Sequence, residues 1–485
     1  MQIGKYPRDR IYAESIKPIR NQMRRYSYQS LLDALLVYLN VQSTGDRKKD
    51  LQRLPWIVER LAIWLLADKA REYGSQIAAE QDVKRLIDLA WRTADKLYGD
   101  GQPIKDLGLF VRQMMLSQAP YQQTLDSHAL GLQLYLIRRL PSNSKLRRFF
   151  DEKAAMPIEE YFELAVLYWA HSISSSPWFN QQYINALAML FPDTQQMKFI
   201  ASFTSQLNEL QDMCRERTIL VDEWFQPTCF YKTPCLYHEG AAVPFGSPTL
   251  RRYFEALISD WIAESGSPDL RQNFDKLIEE YVAEALRRSQ LNFITENDIK
   301  KLVPIGQVAD FLIDEPDGIV LIEVKNKSLS QSVPASREPL ELAARLKATI
   351  VKAQNQLANT EKALKLQPKY QNKIFYRIVV TNSDLWLSNP EWLFTKNEEH
   401  ISILPTWLIS LRELDMLVEI VKTKPHTLIN IFTRFFENQK NNLSATYSLE
   451  AFLERNDEKP ERIPSHLLQE VEMVFDKAKT KLLLS

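Results

Sequence analysis

The stretch QVADFLIDEPDGIVLIEVKNK, Gln307 to Lys327, decides how the chain is read. Two apolar runs, ADFLI and IVLIEV, flank the turn signal DEPDG and predict two antiparallel strands of a buried sheet. Charged residues nevertheless stand inside both runs: Asp310 in the first, Glu323 and Lys325 in the second. Side chains alternate faces along a strand, so Glu323 and Lys325 share one face and Val324 points the other way. A symmetric turn over Glu315–Gly318 pairs Asp314 with Ile319 and sets Asp310 opposite Glu323. A tighter turn centred on Asp317 and Gly318 sets Asp310 opposite Lys325 instead. In both registers Asp310 shares its face with Glu323 and Lys325.

Two carboxylates opposed across a half-buried sheet repel, and something positive must lie between them. Lys325 supplies one charge. A hard divalent cation supplies more, because Mg²⁺ takes one or two carboxylates together with water and phosphate oxygens. A cation on Asp310 and Glu323 would activate a bound water and polarise a phosphodiester, with Lys325 orienting that water or stabilising pentavalent charge. The competing reading is an amphipathic hairpin whose charges are simply solvated. The apolar neighbours Phe311, Ile313, Ile319, Leu321 and Ile322 speak against it.

The surroundings predict an α-rich multidomain protein. The chain has 485 residues, 45% hydrophobic and 25% charged, with only 12 glycines, which favours soluble, helix-dominated domains. No apolar run is long enough to span a bilayer, and MQIGKYPRDRIYAES lacks the apolar core of a secretory signal. Three cysteines make no disulfide framework, so a cytoplasmic location is expected. A net charge of zero is not the footprint of a protein that coats nucleic acid. Lys5, Arg8, Arg10, Lys17, Arg20, Arg24, Arg25 and the RKK at 47–49 make a local basic region, either a solvated helix face or a phosphate-tracking patch.

From about residue 8 to 225 the apolar spacing is helical throughout, which defines a helical domain over 1–240. The Pro-, Gly- and aromatic-rich segment 226–248 marks the boundary. It also holds Cys229, Cys235 and His238, with Cys214 upstream. These are zinc-ligand types at a spacing unlike a paired-CxxC knuckle, so buried cysteines and a loop histidine are the expectation. A second domain over 241–410 begins with a helix at 249–265. Ser267, Pro268 and Asp269 then open a helix to about 289. The strand LNFIT, a turn ENDIKK, the hairpin, the loop SLSQSVPAS, the helix LELAARLKATIVKAQNQLANTEKAL and the strand KIFYRIVVTNS follow. The order is helix, three strands, helix, strand. ISILPTWLIS adds a further strand. A C-terminal helical extension over 411–485 starts with a Ser410–Glu413 capping box, with helices near 427–438 and 465–483.

With these residues in place, the region about 249–410 resembles the PD-(D/E)XK, or restriction-endonuclease-like, nuclease superfamily. Val308-Ala309-Asp310 resembles the family's PD, with alanine for proline, and Glu323-Val324-Lys325 its (D/E)XK. The resemblance implies an α/β core of order αβββαβ. It implies a metal-dependent endonuclease using Mg²⁺ or Mn²⁺. Asp310 and Glu323 would be metal ligands, the main-chain carbonyl of Val324 a further one, and Lys325 would serve the attacking water. A glutamate of the first core helix is expected in Glu279-Glu280-Tyr281-Val282, Glu279 first and Glu280 second. A glutamine of the second core helix is expected at Gln356, with Gln354 behind it. The implied substrate is nucleic acid, DNA before RNA. A large helical domain fused to such a core resembles effectors of bacterial anti-phage defence. Two other readings stand beside it: a non-catalytic nucleic-acid- or protein-binding module on the same fold, and a nuclease held inactive until a partner protein or a second copy binds.

Overall fold

Phe311–Glu315 and Gly318–Lys325 pair antiparallel with Asp314 opposite Ile319, which is the symmetric register. This computed structural model describes the chain except for residues 1, 4–6, 43, 45, 70–71, 99–115, 117, 119–120, 122–126, 175, 217, 220–227, 305, 327–338, 383, 386–405, 424–426, 441–447, 457–460 and 484–485. The expected loop SLSQSVPAS lies outside the described residues. Helices dominate among the described residues, joined by two small sheets of mixed direction and a two-stranded parallel pair of Gln2–Ile3 with Thr218–Ile219.

The smaller sheet combines β1 (Thr204–Ser205), β2 (Cys235–His238) and β3 (Ala241–Pro244). It lies where the sequence predicts only a boundary. β2 and β3 form a hairpin over Glu239 and Gly240, both with positive φ (49° and 79°), the backbone of a tight two-residue turn. Its Val243 and the following Phe245 are buried in the N-terminal apolar core, so this Pro-rich stretch is packed structure rather than linker.

The larger sheet has β4 (Phe293–Thr295), β5 (Phe311–Glu315), β6 (Gly318–Lys325), β7 (Ile374–Thr381) and β8 (Thr406–Ser410), in the spatial order β8-β7-β6-β5-β4. β4, β5 and β6 run as an antiparallel meander, while β6, β7 and β8 are parallel. The parallel step from β6 to β7 requires a crossover, and helix Lys352–Leu364 supplies it. That helix is preceded by a helical turn at Pro339–Leu346 and a π-helical turn at Lys347–Val351. The segment ENDIKK is a short helix, Glu296–Leu302, rather than a turn. Glu296 and Asp298 in its first turn and Lys300 and Lys301 in its last oppose the helix dipole, and Glu296 pairs with Lys300 at 2.7 Å.

Both faces of β6 are covered, which is why its run is nearly all apolar. Ile319 and Leu321 share a core with Ala353 and Leu357 of the crossover helix. Val320, Ile322 and Val324 share another with Ile278 of helix Pro268–Arg288, Leu414 of helix Leu411–Thr423 and Phe432 of helix Leu428–Lys440. This second core runs across residues 240 and 410, since it also takes in Leu134 and Phe162 from the N-terminal helices and Val471 from helix Ser465–Leu483. The Ser410–Glu413 capping box forms as expected, and a short helix, Leu449–Arg455, lies beyond it.

The hairpin turn is held by close packing. A Cβ on Gly318 would lie 2.8 Å from the Ile374 carbonyl oxygen and 2.8 Å from Ile429 Cδ1. Beside it, buried Glu315 accepts hydrogen bonds from the Leu428 and Ile429 N–H groups at 3.1 and 2.9 Å, capping helix Leu428–Lys440. Glu315→Ala is expected to cost about 2 kcal/mol, read by urea denaturation, because two helix-end donors lose their acceptor. An unchanged midpoint would show that the cap contributes nothing.

Candidate active site

The charged group lies at the carboxyl ends of the parallel strands β6 and β7, where open α/β sheets place their ligand sites. Asp310 immediately precedes β5, and the register continues it opposite Glu323. The crossover helix grips the chain just before it. The Ala309 N–H donates to Thr360 Oγ1 at 3.0 Å, the Thr360 hydroxyl donates to the Gln356 carbonyl at 2.9 Å, and Gln356 Nε2 donates to the Val308 carbonyl at 2.5 Å. Gln356 therefore clamps backbone rather than presenting its amide to the carboxylates. Gln354 is buried, and its Oε1 meets no donor among the described residues. Asp310 Oδ2 then accepts the Val324 N–H at 2.7 Å, which latches it to the strand carrying Glu323 and Lys325. Val324 joins the site through its main chain, its side chain being buried in the apolar core.

Glu323 is 1% exposed. Its Oε1 accepts the Lys325 ammonium and the nearby Asp310 N–H also favours its charged form, while its buried Oε2 makes no hydrogen bond of good geometry among the described residues. Two other buried glutamates show what a satisfied one looks like. Glu315 has a helix N–H on each oxygen. Glu413 accepts the Leu449 and Glu450 N–H groups on one oxygen and the Ser410 N–H and hydroxyl on the other. A buried polar atom without a partner costs about 1–3 kcal/mol, and Glu323 Oε2 is the one such carboxylate oxygen among the described residues.

Helix Pro268–Arg288 brings two more carboxylates. Glu279 feels the charges of Asp310 and Lys325, and Asp275, one turn earlier, accepts a hydrogen bond from Asn326 and feels Lys325. Glu280 instead faces outward and pairs with Lys276 at 3.9 Å, so of the two expected glutamates Glu279 is the one placed near Asp310 and Lys325. Asp275 and Asn326 were not among the residues expected from sequence. Their available signals were the one-turn spacing from Glu279 and the position next to Lys325.

Four carboxylates thus surround a single lysine. Burial, reinforced by the charge of Asp310, pushes the Glu323 carboxyl well above its usual range. Burial raises Asp310 as well, against the pull of the Val324 N–H and Lys325. Glu279 is pushed up to about 7, by burial first and Asp310 second. Burial also raises Asp275. Burial works against the Lys325 ammonium, but Glu323, then Asp310 and Glu279, raise its pKa and keep it charged. Near neutrality the group shares protons it would exchange for a stronger positive charge.

Among the described residues no three His, Cys, Asp or Glu side chains assemble a ready metal cage. Mg²⁺ does not need one, since it keeps several waters and takes one or two carboxylates. Asp310 and the open oxygen of Glu323 fit that demand. Elsewhere, Cys235 lies in a different core from Cys214, and His238 Nε2 engages Asp33 at 2.7 Å. In the basic N-terminal region Arg24 forms a two-pronged ion pair with Asp68 at 2.8 and 2.7 Å. No helix among the described residues is long and apolar enough to cross a membrane. The chain matches no family model, no curated protein and no solved structure.

The raised carboxyls make a pH prediction. A carboxyl whose folded pKa exceeds its unfolded value stabilises the fold below the unfolded pKa and loses that contribution as pH rises through the folded one. With chelator present, the melting temperature of the wild type should fall more steeply than that of Glu323→Gln between about pH 5 and about pH 9. Parallel melting profiles would show that Glu323 is not protonated in the folded chain.

Proposed function

We propose that the chain is a metal-dependent nuclease that hydrolyses phosphodiester bonds, with DNA as preferred substrate and Mg²⁺ or Mn²⁺ as cofactor. The observation that carries this is the buried Glu323 oxygen without a donor, set on the same latch as Asp310 and beside a protonated lysine. The order of helix Pro268–Arg288, meander β4–β6, crossover helix and β7 supports it, being the αβββαβ order that the restriction-endonuclease-like resemblance implies. An effector role in anti-phage defence is the setting this architecture resembles.

Asp310 and Glu323 would hold the cation, with the Val324 carbonyl as a further ligand and Glu279 supporting its water shell. When bound, the cation polarises the phosphodiester and makes a coordinated water more acidic. The chain's own residues do the rest. Lys325, with its raised pKa, stays protonated and donates a hydrogen bond to the attacking water or to the oxygens that gain charge. Glu279, at about 7, can accept a proton near neutral pH. The Asp310–Val324 latch keeps the carboxylate at a constant place relative to the lysine, so little reorganisation accompanies the reaction. The zero net charge gives weak long-range attraction to phosphate, so substrate affinity must come from local groups, a partner protein or a second copy.

The test is cleavage of supercoiled plasmid, linear duplex, single-stranded DNA and RNA with Mg²⁺, Mn²⁺ or chelator. Cutting should require metal, and Asp310→Ala, Glu323→Ala and Lys325→Ala should each reduce it by about 10²-fold or more. Metal-dependent cutting that survives the Glu323→Ala/Lys325→Ala double substitution would place the chemistry elsewhere. Independently of any substrate, Mn²⁺ titration by calorimetry in two buffers of different ionisation enthalpy should show proton release and tighter binding as pH rises. Heats with no buffer dependence would mean that the carboxyls do not exchange protons for metal.

A further inference from the structure

Two of the three cysteines come together although the sequence separates them. Cys214 Sγ and Cys229 Sγ are 3.8 Å apart. Cys214 lies in the last turn of helix Leu207–Arg215 and is fully buried, whereas Cys229 opens the 3₁₀ turn Cys229–Tyr231 and is partly exposed. A disulfide is about 2.05 Å long, so closure needs an approach of roughly 1.8 Å, within reach of side-chain rotation and a small backbone shift. Cys235 has no such neighbour among the described cysteines. It lies in another core, and burial pushes its thiol well above the ordinary range.

We propose that Cys214 and Cys229 are a site of reversible thiol oxidation that closes to a disulfide with a peroxide-class oxidant. Cys229, the accessible partner, reacts first. Its thiolate sulfur attacks one peroxide oxygen, the O–O bond breaks, and the released hydroxide takes up a proton and leaves as water. The Cys214 sulfur then attacks the sulfur of the resulting sulfenic acid. The S–O bond breaks, and the departing hydroxyl takes the Cys214 proton as a second water. Two thiols are oxidised, and one peroxide is reduced to two waters.

The bond would join two elements that meet in the N-terminal core, since Phe230 of the Cys229 turn is buried there with Cys214. Helix Leu207–Arg215 packs on helix Pro55–Ala67 in the N-terminal core, while the Cys229 turn packs against helix Ser247–Ser265. That second helix leads directly into Pro268–Arg288, the helix carrying Asp275 and Glu279. Oxidation therefore tightens the part of that core on which helix Ser247–Ser265 rests. Cysteine pairs in reducing compartments serve such reversible uses more often than permanent crosslinking.

The experiment uses the full chain, hydrogen peroxide and thiol titration under denaturing conditions, followed by peptide mapping. Three titratable thiols should fall to one, with a Cys214–Cys229 linked peptide and full recovery after dithiothreitol. Cys229→Ser should abolish the linked peptide, and Cys235→Ser should retain it while leaving no titratable thiol after oxidation. Because Cys229 is partly exposed, its substitution tests the pair without emptying the core. Three surviving thiols, or Cys229 carried to sulfinic acid with Cys214 still reduced, would overturn the proposal.

Discussion

Two carboxyl groups are held against each other at the dry end of a sheet, and the surrounding structure is arranged to keep them there. Asp310 stands where the hairpin register meets Glu323, and the repulsion between them rises as water is removed. Three supports maintain the position. The Val324 N–H holds Asp310, the Gln356 and Thr360 clamp fixes the two residues before it, and the Lys325 ammonium takes one oxygen of Glu323. Further back, Gly318 allows β7 and helix Leu428–Lys440 to approach the turn, which keeps the register from slipping.

Among the described residues, buried carboxylates serve several ends, and the differences are informative. Glu315 and Glu413 cap helices with both oxygens engaged, though burial still pushes the Glu413 carboxyl up. Asp415 is a junction: its carboxylate meets the His128 ring at 2.9 Å and the Tyr281 hydroxyl at 2.6 Å, tying an N-terminal helix to two helices of the sheet region. Glu323 belongs to neither kind. Asp415 also bears on the site at one remove. Tyr281 and Glu279 are two residues apart, about 200° around the helix, so anchoring Tyr281 on Asp415 turns Glu279 towards Asp310. Asp275, a full turn before Glu279, faces the same way, and Glu280 is left outside.

Much of this could be read from the residues. Alternation in ADFLI and IVLIEV marked the hairpin and put Asp310, Glu323 and Lys325 on one face, because the side-chain period in a strand is two whatever the register. Ser267-Pro268-Asp269 and Ser410–Glu413 marked helix starts, because capping is local chemistry. The short helix at Glu296–Leu302 was missed, since it has few apolar residues and rests on charge order along its axis. The hairpin at Cys235–Pro244 was missed because its prolines, glycine and aromatics look like a connecting segment until Val243 and Phe245 are seen in a core.

By itself, then, the sequence determined the helical character of the chain, the alternation that defines the central hairpin and the shared face of its three charges. Each follows from interactions within a few residues. Only the tertiary structure decided between Glu323 and Lys325 as the partner opposite Asp310, between Glu279 and Glu280, and between an engaged and an open oxygen on Glu323. It also added Asp275 and Asn326, and brought Cys214 to Cys229. Those outcomes depend on how strands slide, how a helix is rotated by a distant anchor such as Asp415, and which donors happen to reach a buried atom. None of these is set by the residues next in the chain.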